Sequence, residues 1–113
     1  LKKEKHVDLV ICLSHSGVYP DGKGGFYGED IKLAKKAKFI DVIISGHTHV
    51  VTPEPIKVGK TLIVQTGSYL HNLGRLDLNL QDGRIVSNHF QLIPIDDKIK
   101  GNADIEARIE AYK

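Results

Sequence analysis

The 113-residue sequence contains no methionine, no tryptophan and a single cysteine, Cys12. One cysteine excludes an intrachain disulfide and a zinc site built from several thiolates. No apolar run approaches the roughly 18 residues that a membrane-spanning helix needs, so no membrane-embedded segment is predicted. The formal net charge is +2, from 16 basic and 14 acidic side chains. That charge is too small to indicate a nucleic-acid polymer as a partner.

The chain begins without a methionine, and a short charged stretch leads directly into an apolar run. This abrupt opening predicts a segment of a longer protein. The length corresponds to about one small domain. The single cysteine, in an apolar run, is compatible with compartments on either side of a membrane, so the sequence does not determine the localisation.

The first half of the chain has the pattern strand, helix, strand. The β-branched runs 7–14 and 39–45 predict two strands that are each buried on both faces. Between them, a glycine-rich loop over 17–28 precedes residues 29–38, which place acids first and lysines last, as suits a helix dipole. This βαβ pattern predicts two parallel strands with a right-handed connection.

The second half predicts antiparallel strands and a final helix. Two short strands flank Gly59-Lys60 as a hairpin, and two more flank a turn at Gln81-Asp82-Gly83. Asn102 is a predicted helix cap. The predicted strands are 56–58, 61–64, 75–80 and 85–92. The predicted fold class is therefore α/β, a βαβ unit followed by antiparallel strands.

Three of the six histidines directly follow the two apolar strands of the βαβ unit: His15 after the first, and His47 and His49 after the second. Ligands of parallel α/β sheets bind beyond the carboxyl ends of the strands, so we expect the three imidazoles at one sheet edge. Two residues apart, His47 and His49 point to the same side of an extended backbone. Because neutral imidazole binds zinc, iron and manganese, the pattern predicts a metal site. Hydrogen-bonded loop histidines are the alternative.

The segments VDLVICLSHSG, LAKKAKFIDVIISGHTH and VGKTLIVQTGSYLHNLGRLDL resemble the calcineurin-like metallophosphoesterases. The resemblance is greatest to their 5′-nucleotidase and 2′,3′-cyclic-nucleotide phosphodiesterase branch. It implies a four-layer αββα sandwich. Residues 1–96 would form the C-terminal half of the catalytic domain, and 97–113 the start of a linker or C-terminal helix. Relatives are often secreted, periplasmic or at the cell surface, so the resemblance leaves localisation unknown.

The resemblance also implies a centre of two divalent metal ions, such as zinc, manganese or iron. His15 and His47 match ligands of one metal, and His49 matches a ligand of the other. In this family a metal-bound water or hydroxide attacks phosphorus in line. The implied activity is hydrolysis of a phosphate ester, such as a nucleotide.

The sequence departs from the family in one large respect. The family's first half carries Asp-x-His, Gly-Asp and Asn-His motifs, and none of these precedes the SHSG segment here, so no catalytic residue is assigned. These motifs supply the aspartate that bridges the metals and the histidine that assists the leaving group. We therefore expect the chain to be inactive alone, with the N-terminal half of a catalytic domain as its missing partner.

Further residues are open to two interpretations. Gln65 and Gly67 follow a predicted strand and could bind substrate or form a polar turn. Tyr19, Phe26 and Tyr27 could stack on a base or cover the core.

Two rival functions also stay open. One is a non-catalytic domain that holds a single zinc ion through His15, His47 and His49. The other is an interaction domain without metal, whose exposed apolar sheet drives homo-oligomer formation.

Overall fold

A computed structural model describes residues 2–113 of the chain. It contains three helices and eight strands within that range. In chain order these are α1 Lys2–Lys5, β1 Ile11–Leu13, β2 Tyr19–Pro20, β3 Phe26–Tyr27, α2 Glu29–Lys36, β4 Val42–Ile44, β5 Ile56–Val58, β6 Thr61–Val64, β7 Asn72–Gln81, β8 Arg84–Pro94 and α3 Ala103–Glu110.

The main sheet has four strands in the order β1-β4-β6-β5. Strand β4 lies between β1 and β6 and is parallel to both. Strand β5 closes one edge as the antiparallel partner of β6. The predicted α/β class, the parallel βαβ unit and the 56–64 hairpin are thereby confirmed. The parallel pairing of β6 with β4 extends the unit beyond what the sequence pattern predicted.

Helix α2 covers one face of this sheet and forms the core with it. Ile31 and Ala34 of the helix pack with Ile43 and Ile63 of the central strands, and both strand residues are fully buried. The burial and close packing of apolar side chains supply most of the stabilisation of such a unit. The carboxyl ends of β1 and β4 are therefore held by a packed scaffold.

The prediction that the first strand is buried on both faces is wrong. Strand β1 covers only Ile11–Leu13, lies at the sheet edge, and leaves Leu13 78% exposed. Strand β4 is also shorter than predicted, and Ile44 is 45% exposed. These side chains stand on the face opposite α2. There, a cavity of about 280 Å³ separates the sheet from the β7–β8 hairpin.

Strands β7 and β8 form a long hairpin, which within residues 2–113 is a separate two-stranded sheet and is not hydrogen-bonded to the four-stranded sheet. The strands of the hairpin extend further at both ends than the sequence pattern predicted. Asp82 and Gly83 both have positive φ, which is the geometry of a type I′ turn.

Asn102 caps α3 as predicted, because its Oδ1 accepts hydrogen bonds from Asp104 N and Ile105 N. The proposed boundary between residues 96 and 97 stays a prediction.

Strands β2 and β3 form a small hairpin in the glycine-rich loop that the sequence pattern did not predict. Within residues 2–113, no helix combines the length and apolar character needed to cross a membrane.

Candidate metal centre

His15 and His47 meet at one edge of the main sheet. They follow the carboxyl ends of β1 and β4, whose last residues, Leu13 and Ile44, are paired in register. The two imidazole rings lie 5.1 Å apart between centroids, with an angle of 65° between their planes. Both side chains are exposed. The expected meeting of these two histidines is thus observed.

Gly46 makes room for the His15 ring. A Cβ atom built on Gly46 would lie 3.2 Å from His15 Nδ1, so the imidazole packs directly against this backbone. Any larger residue would press on the ring. The glycine before His47 therefore permits the approach of the two loops.

His49 lies in a different arrangement from the one predicted. His47 and His49 both have positive φ, and Thr48 N donates to Gly46 O, so residues 46–49 form a tight turn instead of extended backbone. We refer to these residues as the GHTH turn. The His49 ring contacts Tyr69 at 5.4 Å between centroids. Across residues 2–113, no three His, Cys, Asp or Glu side chains are grouped to hold a metal ion.

A buried carboxylate lies behind the His15 and His47 loops. Asp30, in the first turn of α2, is fully buried. It accepts hydrogen bonds from Ser14 Oγ at 2.5 Å and Gly17 N at 2.9 Å, and from Ser45 Oγ at 2.6 Å. The sequence pattern placed Asp30 only at the start of the predicted helix and gave no support for a role at the site. The available signal was a serine at the end of each strand, Ser14 and Ser45, next to an acid that begins the connecting helix.

The side chain of Gln65 holds the GHTH turn from the other side. The single hydroxyl hydrogen of Ser45 is directed to Asp30, so Ser45 Oγ accepts from Gln65 Nε2 at 3.1 Å. In this orientation Gln65 Oε1 accepts from His49 N at 3.1 Å and Val50 N at 3.0 Å. Gln65 is 2% exposed.

Gly67 supports the same segment, because its N–H donates to Val50 O and its φ is +86°. The structure thus places Gln65 and Gly67 behind the turn. A contact of either residue with substrate stays a prediction.

The aromatic residues of the glycine-rich loop divide into two groups. Phe26 is half-buried and packs against the core. Tyr19 and Tyr27 are exposed and stack on one another, with centroids 5.4 Å apart and planes 25° from parallel. Together with His47 and Lys32 they line a cavity of about 460 Å³. This cavity opens beside the paired histidines.

The family model for the calcineurin-like phosphoesterases matches residues 1–51, which contain both histidine loops. The chain belongs to the calcineurin-like phosphoesterase family.

Individual phosphoesterase relatives match nearly all of the chain. It is 29% identical over 119 residues to the trifunctional nucleotide phosphoesterase protein YfkN of Bacillus subtilis, covering 100% of this chain and 8% of that protein. It is 30% identical over 124 residues to a 5′-nucleotidase of Vibrio cholerae, covering 88% of this chain and 22% of that protein. The chain therefore spans less than a quarter of the length of these curated relatives.

A solved structure supports the same fold. The sulfate thiohydrolase SoxB of Thermus thermophilus, in complex with glycerol, is 40% identical, with a TM-score of 0.66. The match covers 73% of this chain and 15% of that chain. These comparisons place the chain in the 5′-nucleotidase branch of a family of hydrolases.

The geometry of His15 and His47 fits the divalent metal ions that this phosphoesterase family uses. Two imidazole rings that bind one ion at about 2.1 Å, with tetrahedral angles, have centroids about 5 Å apart. The observed separation is 5.1 Å. Imidazole nitrogen is also a preferred donor for zinc and related ions.

Asp41 lies at the opposite end of β4 from His15 and His47. It is 4% exposed, accepts from Val10 N at 2.9 Å, and pairs with Lys60 Nζ at 3.1 Å. Asp21 lies within the glycine-rich loop, where the N–H groups of Lys23 and then Gly25 lower the pKa of its carboxyl. Both carboxylates therefore serve local structure.

Proposed function

We propose that this chain contributes the histidine ligands of the metal centre of a 5′-nucleotidase-type phosphoester hydrolase. The observation that carries the proposal is the 5.1 Å separation of the His15 and His47 rings at the carboxyl ends of neighbouring parallel strands. The substrate class is a nucleotide or another phosphate ester. The name of the family and those of its nucleotide-hydrolysing relatives support this class.

Each histidine has a defined role in this proposal. His15 and His47 bind one divalent ion, and His49 binds a second. The ions, zinc, manganese or iron, lower the pKa of a coordinated water and polarise a phosphoryl oxygen when bound. The imidazoles hold the ions at the mouth of the cavity, where a phosphate ester can approach from solvent.

Charge balance indicates that other ligands complete the centre. Three neutral imidazoles neutralise none of the charge on two divalent ions. Asp30 already accepts three hydrogen bonds, and Asp41 lies at the far end of β4. We infer that carboxylate ligands come from the N-terminal half of the catalytic domain, which makes that half the partner of this chain. The 113 residues alone are then inactive.

Hydrolysis by the metal-loaded full-length protein tests this proposal. We expect divalent-metal-dependent release of phosphate from AMP, and a loss of at least about 100-fold in kcat/KM for His47→Ala. The matched control is His89→Ala, because His89 is an exposed histidine of β8. The absence of metal-dependent hydrolysis of any phosphate ester by the wild-type protein would refute the proposal.

A second candidate reaction is hydrolysis of a thiol-linked sulfate. The 40% identity to the Thermus sulfate thiohydrolase exceeds the identity to the nucleotide-hydrolysing relatives named above. Both reactions use water to displace a leaving group from a tetrahedral anion, so one metal centre suits either. Release of sulfate from cysteine S-sulfonate, without release of phosphate from AMP, would select this reaction.

Metal stoichiometry separates both hydrolases from a non-catalytic zinc domain. The hydrolases require turnover and about two metal ions per full-length protein, whereas the zinc domain binds one ion and shows no turnover.

Another alternative is self-association through the exposed apolar face of β1 and β4, where Ile11, Leu13 and Ile44 are exposed. A concentration-dependent oligomer with metal-independent stability would favour that alternative.

A further inference from the structure

We propose that Asp30 is a positioning residue of the metal centre, setting the relative placement of the loops that carry its three histidines. It does so directly through Ser14, Gly17 and Ser45, and indirectly through Gln65. The inference rests on the proposed function, because it takes these histidines to be metal ligands.

The Asp30 carboxylate fixes the His15 loop on both sides of the histidine. Ser14, which directly precedes His15, donates its hydroxyl to Oδ1 at 2.5 Å. Gly17, two residues after His15, donates its N–H to Oδ2 at 2.9 Å. In return, Asp30 N donates to Gly17 O. The four-residue segment 14–17 is therefore tied at both ends to the first turn of α2.

The same carboxylate fixes the approach to His47. Ser45, two residues before His47, donates its hydroxyl to Oδ2 at 2.6 Å. Ser14 and Ser45 therefore converge on one group from the ends of two neighbouring strands. A single carboxylate and two short hydrogen bonds therefore bridge the two histidine loops.

The hydrogen bonds continue from Ser45 to the third histidine. Gln65 Nε2 donates to Ser45 Oγ, and Gln65 Oε1 accepts from the backbone N–H of His49. Two residues thus link the carboxylate to the backbone of the GHTH turn. This turn contains strained backbone at His47 and His49, both with positive φ, and such backbone persists only where surrounding bonds hold it.

Burial makes this arrangement stiff. A fully buried carboxylate is costly unless donors compensate for the lost water, and Asp30 has three. Hydrogen bonds to a charged acceptor are stronger than those between neutral groups. Within residues 2–113, no hydrogen bond is found between Asp30 and an imidazole, so its effect is exerted through the loops. Groups behind a metal ligand typically change metal affinity by about 10–100-fold.

Asp41 provides a matched control for Asp30. It is also a nearly buried aspartate, and it also accepts a backbone N–H and a side-chain donor. It precedes β4, whereas the histidines follow β1 and β4. Replacement of either aspartate removes a buried acceptor, but of the hydrogen bonds found for these two aspartates within residues 2–113, those to the histidine loops come from Asp30.

Cobalt binding by the full-length protein tests the inference. Co²⁺ is titrated into the apo forms of wild type, Asp30→Asn and Asp41→Asn, well below the melting temperature of each. We expect Asp30→Asn to raise the Kd for Co²⁺ at least about 10-fold and to change the visible absorption of the bound ion. Asp41→Asn should lower the melting temperature while leaving the Kd and the spectrum at wild-type values.

Ser45→Ala keeps the test valid if Asp30→Asn does not fold. It removes one hydroxyl and is expected to weaken Co²⁺ binding in the same direction. Wild-type Kd and spectrum in folded Asp30→Asn, or in Ser45→Ala where the former fails to fold, would overturn the inference and leave the proposed function intact. If the wild-type protein binds no Co²⁺, the inference and the proposed metal centre fail together.

Discussion

Gly17 and Thr48 touch so closely that a Cβ atom on Gly17 would overlap Thr48 Cγ2. The first residue belongs to the loop after β1 and the second to the GHTH turn. The two histidine loops are therefore in direct steric contact as well as hydrogen-bonded through Asp30. The φ of Gly17 is +87°, a conformation that other residues adopt only with strain.

This contact predicts a large effect of Gly17→Ala. We expect a loss of about 1–3 kcal/mol from overpacking, added to the roughly 1–2 kcal/mol cost of left-handed backbone. Urea unfolding measures the change. Gly24→Ala is the matched control, because Gly24 also has a φ of +87° but no atom within 4 Å of its added Cβ. Equal destabilisation by the two substitutions would show that the contact with Thr48 is unimportant.

Chelation of metal should destabilise the full-length protein. A ligand that binds only the native state at 100 times its Kd stabilises that state by about 2.7 kcal/mol. We therefore expect excess EDTA to lower the melting temperature of the metal-loaded wild type, and to have little effect on His47→Ala. His89→Ala should respond as the wild type does. A melting temperature of the wild type that does not change with EDTA would contradict a metal centre in this protein.

The pKa of Asp21 predicts a local pH dependence in the glycine-rich loop. Hydrogen bonds from Lys23 N and Gly25 N hold the pKa of this carboxyl below its ordinary value. A pKa lowered by folding means that the stabilisation is present above the ordinary value and is lost as the pH falls through the folded one.

NMR can follow this transition through the amide protons of Lys23 and Gly25. We expect both signals to titrate together at a pH below the ordinary aspartate pKa, and the transition to disappear in Asp21→Asn. A midpoint at or above the ordinary value would show that the two hydrogen bonds do not persist in solution.

The stacked pair of Tyr19 and Tyr27 predicts a preference among phosphate esters. The pair lines the cavity beside His47, and an aromatic ring in that cavity could stack on an exposed tyrosine face. Base–aromatic stacking is worth about 1–3 kcal/mol. In the proposed hydrolase we therefore expect Tyr27→Ala to raise KM at least about 5-fold for AMP and to leave KM for glycerol phosphate unchanged.

Tyr112→Ala is the control for loss of an exposed tyrosine, because Tyr112 is 92% exposed and follows α3. An equal effect of Tyr27→Ala on both esters would assign the stacked pair to structure alone.

Local sequence pattern determined much of the fold. The 29–38 segment has helix-favouring charge order and forms α2 over residues 29–36. Gly59-Lys60 forms the predicted hairpin turn, and the turn predicted at Gln81-Asp82-Gly83 forms at its last two residues. Chain connectivity alone placed His15 and His47 at one sheet edge, because parallel neighbouring strands end on the same side. These features depend on residues close together in sequence or on a topological rule.

Tertiary structure decided the rest. The burial of β1 could not be deduced from its apolar residues, because composition does not specify which strand lies at the edge of a sheet. The conformation of the GHTH turn depends on Gln65, which the parallel pairing of β6 with β4 brings to it. The role of Asp30 depends on Ser45, 15 residues away in sequence. Hydrogen bonds between distant segments exist only once the chain has folded, so sequence pattern located the two histidine loops, and packing set their geometry.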